Sequence, residues 1–138
     1  MAYLGIVWKT EYEVGIELID EQHKKLVQIA NTFLKARADG LQQDVLKNTL
    51  VSLIDYTKYH FKDEEELLKK NYYPELVSHS KLHEELIEQI IHVLERLKDG
   101  SNYAIEELTK LIKEWLIDHI LQKDMEYKDY FAKNGRIE

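Results

Sequence analysis

The stretch from residue 59 to residue 85, YHFKDEEELLKKNYYPELVSHSKLHEE, restricts the fold of this chain more than any other. It contains His60 and Glu64 four residues apart and, after a Tyr-Pro turn, His79 and His83 four residues apart. Residues four apart lie on one face of an α-helix, so each half presents two metal-binding side chains in one direction. Because proline suits the start of a helix, the stretch predicts a helical hairpin.

The composition of the chain favours an all-α fold. The 138 residues include one proline, five glycines and no cysteine, which leaves few helix breakers and excludes disulfides and thiolate metal sites. Strand-like alternation is missing, and the length suits one domain with its own core. We expect a single domain over residues 1–138. It consists of an arm (1–18), an antiparallel up-down-up-down four-helix bundle (19–132) and a frayed tail (133–138).

Apolar residues recur along the four predicted helices at the spacing that four-helix bundles use. The first helix is expected to start at Asp20, a good N-cap residue, and to end at the Asp39-Gly40 pair. Proline, glycine and cap residues predict the limits of the other three helices. The second helix is expected to cover residues 43–71 and the third to begin at Pro74. Residues 99–102 are expected to end the third helix and start the fourth, which continues to Phe131.

The predicted arm carries two aromatic residues, Tyr3 and Trp8. We expect these residues to anchor the arm across one end of the bundle, where it covers apolar surface. Gly15 permits a bend before the first helix. The arm contains no pattern that indicates catalysis.

Charge and hydropathy exclude several kinds of partner. The net charge of −7 argues against a nucleic-acid partner, because no basic patch is present to displace counterions. No apolar segment approaches the roughly 20 residues that a membrane helix needs, and no signal peptide is recognisable. We therefore expect a cytoplasmic protein without a membrane partner, present as a monomer or a weak homo-oligomer.

Hydrophilic residues interrupt the predicted apolar stripes at several positions. Burying such groups without partners opposes folding by several kcal/mol each, about as much as the whole net stability of a domain. Metal coordination offsets this penalty by turning the groups into ligands. Five of the six histidines and Glu64 are placed in this way, and Asp124 lies beside such a stripe. Together the candidate ligands are His23, His60, Glu64, His79, His83, His119 and Asp124.

A structural role for these histidines is the alternative. A lone inward histidine is more often a hydrogen-bonded core residue than a ligand. Two pairs on one hairpin, in phase with the apolar seam, favour metal binding, since both pairs lie about two to three turns from Pro74 and face each other. His92 lies between seam positions and is expected on the surface.

The spacing of His119 and Asp124 points to a dinuclear site. Residues five apart are rotated by about 140° around an α-helix, so these two side chains are expected to reach the bundle axis from opposite edges of the inward face. Such a carboxylate suits a bridge between two ions. Five imidazoles and two carboxylates disfavour magnesium and calcium and exceed the needs of one zinc ion. Two iron ions fit the count, and the two Glu-x-x-His motifs of ferritin-like sites are missing.

These residues are similar to the pattern of the hemerythrin family, and specifically of its single-domain bacterial members. The pattern is a histidine early in the first helix, followed by HxxxE, HxxxH and HxxxxD on the next three helices. The N-terminal segment WKTEYEVGIELIDEQH and the Tyr-Pro turn also resemble bacterial members. All seven positions match in order. They are His23, His60, Glu64, His79, His83, His119 and Asp124.

The resemblance implies two iron ions, joined by an oxo or hydroxo group and by the carboxylates of Glu64 and Asp124. It implies that three histidines (His79, His83, His119) hold one iron and two (His23, His60) hold the other, which keeps an open position for dioxygen. It implies reversible oxygen binding for storage, delivery or sensing, without catalysis. Helix geometry places an apolar oxygen pocket at four residues that serve equally well as core: Trp115, Leu116, Ile120 and Leu121.

Two other functions stay open from the sequence alone. The first is a di-iron redox enzyme that acts on peroxide or nitric oxide, since an open iron position permits such chemistry. The second is a helical interaction module with structural histidines. Iron content separates the last from the other two, and spectra recorded with and without oxygen separate reversible binding from turnover.

Overall fold

The chain folds into four packed helices preceded by an arm. The structure is a computed structural model and describes residues 5–40, 43–98 and 102–134. Helix α1 packs against α2 and α4, and α3 packs against α2 and α4, which confirms the four-helix bundle. The elements are the 3-10 turn Thr10–Tyr12, α1 Glu17–Ala38, α2 Gln43–Lys70, α3 Leu76–Lys98, α4 Asn102–Asp118, the π-helical segment His119–Asp124 and α5 Met125–Asn134.

The start of α1 differs from the sequence prediction. Asp20 is not the N-cap but lies inside the first turn, and Ile16 occupies the cap position without a side-chain hydrogen bond. The Asp20 carboxylate instead accepts backbone N–H groups of Val14 at 2.7 Å and Gly15 at 3.2 Å. Gly15 has a φ of +84°, so the predicted bend is present. Asp20 therefore fixes the entry of the chain into the helix from within it.

The turn between α2 and α3 closes the hairpin that the sequence predicted. The N–H of Tyr73 donates to the carbonyl of Leu68 at 2.9 Å and the N–H of Tyr72 to that of Lys69 at 3.1 Å. This pattern is a Schellman motif, and Tyr72 takes its left-handed position with a φ of 56°. Pro74 precedes α3 by two residues rather than starting it, because Leu76 N–H first closes a turn onto the Tyr73 carbonyl at 3.2 Å.

Two apolar clusters fill the ends of the bundle. The larger one lies among α1, α2, α3 and α4 and includes Phe33, Leu53 and Ile90, each with no exposed surface. The smaller one joins the end of the arm to the α2–α3 turn and α5 through residues such as Ile19, Leu68 and Tyr127. The hydrophilic stripe lies between the two clusters.

The arm lies along α1 and does not cross an end of the bundle. The backbone N–H of Ile6 donates to Asn31 Oδ1 at 2.7 Å, and Asn31 Nδ2 donates back to the Ile6 carbonyl at 2.8 Å. Trp8 packs edge-on against Tyr12 with ring centroids 5.5 Å apart and contributes to the larger apolar cluster, so the arm covers apolar surface as expected. Tyr3, the other predicted anchor, lies outside the described residues.

The C-terminal part of the bundle departs from one continuous helix. A π-helical segment separates α4 from α5, and α5 extends to Asn134, so residues 133 and 134 belong to a helix rather than to the expected tail. The predicted stop at 99–101 lies outside the described residues. Across the described ranges, no helix has both the length and the apolar character that crossing a membrane requires.

Candidate metal centre

The seven predicted ligands meet at the centre of the bundle. Each of them exposes 5% or less of its surface, and they come from α1, α2, α3 and the π-helical segment. The inward stripes place the ligands of α1, α2 and α3 there, since each of these positions is in phase with buried leucine, isoleucine or phenylalanine on its helix. His92, the sixth histidine, is exposed as expected.

Glu64 divides its two oxygens between two groups of histidines. Its Oε1 lies 2.7 Å from His79 Nε2 and 3.2 Å from His83 Nε2. Its Oε2 lies 3.2 Å from His60 Nε2 and 3.6 Å from His23 Nε2. One carboxylate oxygen therefore faces each group, which is the arrangement of a bridging ligand.

Asp124 divides its oxygens in the same way. Its Oδ2 lies 2.9 Å from His23 Nε2, while its Oδ1 lies 3.1 Å from His119 Nε2 and 3.3 Å from His79 Nε2. The two carboxylates therefore span the same pair of positions. The donor atoms form two compact groups that could each hold a metal ion: Glu64, His79, His83 and His119, and His23, His60, Glu64 and Asp124.

The π-helical segment brings His119 and Asp124 together. Their side chains were expected at opposite edges of an α-helical face, but His119 Nε2 and Asp124 Oδ1 are 3.1 Å apart. A π-helix bonds each residue to the fifth one along the chain, so residues five apart stack above one another. The prediction was wrong because it assumed α-helical rotation. The spacing of buried residues in the sequence indicates the π-helix. Leu108, Ile112 and His119 follow α-helical spacing, but the next buried residue among those described, Asp124, comes five positions after His119 rather than three or four.

Many polar atoms at the centre lack ordinary partners. Within the described part of the chain, six buried nitrogen and oxygen atoms of the cluster make no hydrogen bond: His23 Nδ1 and Nε2, His60 Nε2, His119 Nδ1, and Asp124 Oδ1 and Oδ2. Two imidazole nitrogens, His83 Nε2 and His119 Nε2, face each other at 3.1 Å. Two ligand atoms that each lie about 2.1 Å from the same metal ion are separated by about this distance. The cluster therefore fits metal ions better than it fits a hydrogen-bonded core.

The electrostatics of the cluster follow from packing histidines around two carboxylates. Burial alone would lower the pKa of His23 and of His79, but the nearby carboxylates of Asp124 and Glu64 outweigh it and raise these pKa values to about 9 and about 10. Burial lowers the pKa of His60. Burial would raise the pKa of Glu64, yet the surrounding imidazoles hold it well below its usual range. Burial and Glu64 would likewise raise the pKa of Asp124, yet His119 and His23 lower it, so both carboxylates are ionised at neutral pH.

Two histidines bond to polar side chains behind the cluster. His60 Nδ1 donates to Gln22 Oε1 at 2.7 Å, and Gln22 Nε2 donates to Asp63 Oδ2 at 2.8 Å. His83 Nδ1 donates to Glu65 Oε2 at 2.8 Å. Such contacts fix the tautomer of a histidine ligand and leave Nε2 free for the metal.

The comparisons with known proteins agree with this geometry. The family model described as Hemerythrin HHE cation binding domain matches residues 14–131. The chain belongs to the hemerythrin family. A bacteriohemerythrin of Clostridium acetobutylicum is 35% identical over 128 residues, which cover 89% of this chain and 98% of that protein. A myohemerythrin of Theromyzon tessulatum is 35% identical over 121 residues, covering 88% of this chain and 89% of its own.

A solved structure shares the fold. The crystal structure titled as wild-type hemerythrin superimposes with a TM-score of 0.80 at 26% identity, covering 90% of this chain and 95% of that one. The resemblance drawn from the sequence is therefore confirmed. Hemerythrins bind non-haem iron, and the two donor groups suit that metal, because imidazole and carboxylate are ligands that iron accepts.

The oxygen pocket was predicted at four residues whose side chains the structure does not describe. Trp115 and Leu116 lie on α4 and Ile120 and Leu121 on the π-helical segment, but their side chains lie outside the described residues. The pocket at these residues stays a prediction.

Sequence reasoning missed several residues of this hemerythrin centre. Phe61 stacks flat on His83 with ring centroids 3.6 Å apart and lies 5.7 Å from both His60 and His119. The Tyr127 hydroxyl donates to Glu64 Oε2 at 3.3 Å. Gln22 and Glu65 also went unnoticed, although each directly precedes or follows a predicted ligand in the sequence. Three aspartates that lie close in sequence to the ligands have different roles: Asp63 supports Gln22, Asp20 binds the arm, and Asp118 is exposed.

Proposed function

We propose that this chain is a non-haem di-iron protein that binds dioxygen reversibly. The observation that carries the proposal is the division of both carboxylates, each of which gives one oxygen to either histidine group. Two metal ions sharing two carboxylate bridges account for this arrangement. Family membership supports iron as the metal and dioxygen as the ligand, since hemerythrins are oxygen-binding proteins and not, in general, enzymes.

The seven side chains have distinct roles in this proposal. His79, His83 and His119 would hold one iron, and His23 and His60 would hold the other. The carboxylates of Glu64 and Asp124 would serve both ions, since each belongs with donor atoms of both groups. When bound, the pair of irons would supply a position for dioxygen and the two electrons that dioxygen takes up and returns.

The surrounding residues protect that chemistry from water. Apolar clusters close the bundle on both sides of the centre, and Phe61 covers the rings of His60, His83 and His119. Exclusion of water slows the delivery of protons, which would release oxygen in a reduced form and leave the irons oxidised. Tyr127 holds the bridging Glu64 in place through its hydroxyl. We infer that Phe61 forms a wall of the oxygen pocket together with the four predicted residues.

The decisive experiment combines iron analysis with absorption spectra. The purified protein is expected to contain two irons per chain and to show a charge-transfer band that appears with oxygen and disappears under argon. A chain without iron would overturn the proposal in favour of a structural helical module. Rapid conversion by oxygen to a stable oxidised form would instead favour a redox enzyme acting on peroxide or nitric oxide. A cytoplasmic protein, present as a monomer or a weak homo-oligomer, stays our prediction from the sequence.

A further inference from the structure

The two histidine groups are supported from behind by side chains of different charge. In the group of three histidines, His83 Nδ1 donates to a carboxylate, Glu65 Oε2, at 2.8 Å. In the group of two, His60 Nδ1 donates to a neutral amide, Gln22 Oε1, at 2.7 Å. Both contacts leave Nε2 facing the cluster, so they fix the same tautomer. The two acceptors differ in charge.

Glu65 is held firmly in a position where its charge is stable. Ser80 Oγ donates to Glu65 Oε1 at 2.7 Å, while the other oxygen accepts from His83. The Glu65 side chain is 32% exposed, so water still solvates the carboxylate. Phe61 stacks on His83 with an interplanar angle of 2°, which keeps the imidazole aligned with Glu65. A carboxylate in this position makes the imidazole a more strongly donating ligand.

Gln22 holds His60 without bringing a charge to it. Its amide is buried, and its orientation is fixed because Nε2 donates to Asp63 Oδ2 at 2.8 Å. The amide oxygen must then face His60. The negative charge of Asp63 lies one hydrogen bond further away, so it influences His60 less than Glu65 influences His83.

We propose that Glu65 and Gln22 are positioning residues that make the two iron positions unequal, strengthening the ligands of the three-histidine position and leaving the two-histidine position weaker. This inference rests on the proposed di-iron function. It predicts the order in which the two irons are lost. The iron held by His23 and His60 should leave before the iron held by His79, His83 and His119. The additional histidine favours the same order, but the contribution of Glu65 can be measured separately.

The test measures how much iron the reduced, iron-loaded protein retains, under argon, at increasing concentrations of a ferrous chelator. The wild-type protein should lose its irons in two steps. Glu65→Gln keeps the shape of the side chain, and Ser80 can accept a hydrogen bond as well as donate one. In this variant the second step should move to a chelator concentration about 10- to 100-fold lower, the usual effect of removing such a support, with the first step unchanged. Glu66→Gln is the control, because Glu66 is exposed and neighbours Glu65.

A second variant adds a carboxylate next to His60 instead of removing one next to His83. The double substitution Gln22→Glu with Asp63→Asn exchanges the amide and the carboxylate, so that the net charge stays constant and the carboxylate contacts His60. The first step should then move to a chelator concentration about 10-fold higher. This variant also tests the inference if Glu65→Gln fails to fold, which circular dichroism detects.

Several outcomes would overturn the inference. Unshifted steps in both variants would exclude an effect of the acceptor charge, and equal losses in Glu65→Gln and Glu66→Gln would reduce it to a general effect of net charge. A wild-type protein that never retains a second iron would overturn the proposed function itself. In contrast, two irons that leave at the same chelator concentrations in every variant would leave the di-iron function intact and contradict only the role of Glu65 and Gln22.

Discussion

The ends of this bundle and its centre are stabilised by different interactions. At the ends, residues such as Phe33, Leu53 and Ile90 are removed completely from water, and their packing needs no other component. At the centre, seven hydrophilic side chains are almost equally buried, and several of their atoms make no hydrogen bond within the described residues. The apolar ends hold the helices in register, while the centre gathers donor atoms that could hold metal ions.

The largest effect should come from removing a carboxylate that belongs to both donor groups. Glu64→Ala is expected to abolish binding of both irons, because each ion loses a ligand and the bridge between them disappears. Iron analysis and the absorption spectrum measure the loss. Glu66→Ala, on the exposed face of the same helix, should retain the iron of the wild-type protein. Normal iron content in Glu64→Ala would show that the centre does not depend on the bridge.

The reverse experiment weakens an end and spares the centre. Leu53 is fully buried, so Leu53→Ala should lower the free energy of unfolding by about 2–5 kcal/mol through the cavity it creates. Urea denaturation measures this change, and the iron content of the folded protein should stay unchanged. Val51→Ala is the matched control, since Val51 is 43% exposed and its truncation should change the free energy by no more than about 0.5 kcal/mol. Iron loss in Leu53→Ala would show that the two regions are not separable.

A rise in pH should weaken the iron-free fold but strengthen the binding of iron. In the iron-free protein, the pKa of His23 is raised to about 9 and that of His79 to about 10. Raised histidine pKa values stabilise the fold fully below the unfolded value of about 6.5. This stabilisation is lost as pH rises through about 9 to 10.

Iron binding should show the opposite dependence, because the metal requires neutral imidazoles and competes with protons. Iron retention should therefore rise with pH over the range in which the iron-free fold weakens. Urea denaturation between pH 6 and pH 10 measures the stability of the iron-free protein. Leu53→Ala is the reference, because this substitution changes no titratable group. A stability of the iron-free protein that increases over this range would contradict the ion pairs with Glu64 and Asp124.

The smallest effect concerns the junction between the arm and the bundle. Asp20→Ala removes the acceptor for the N–H groups of Val14 and Gly15, so the free energy of unfolding should fall by about 1 kcal/mol. Thermal unfolding measures the change. Glu21→Ala alters an exposed neighbour on the same helix and should have little effect. Equal effects of the two substitutions would assign the loss to helix propensity and charge.

The sequence predicted the parts of the molecule that depend on helical periodicity. The burial of His23, His60 and His83 could be foreseen because each lies in phase with apolar residues. The contacts of Gln22 and Glu65 could not, because they depend on how neighbouring helices are rotated against each other. The start of α1 at Glu17 also escaped prediction, since Ile16 is a poor cap residue and only the tertiary contacts of Asp20 explain it.

The π-helical segment couples the length of the chain to the geometry of the centre. Its wide turn holds one residue more than an α-helical turn would, and all of α5 is rotated accordingly. Inserting one alanine after the exposed Gln122 should rotate α5 by about 100° and swing Tyr127 and Phe131 away from the core, together with a loss of iron. Deleting Gln122 should instead restore an α-helix in which these residues lie 7 and 11 positions after His119 and still face inward. Retention of both irons in the insertion variant would contradict the coupling. The π-helical turn therefore makes an added residue between His119 and Asp124 more damaging than a removed one.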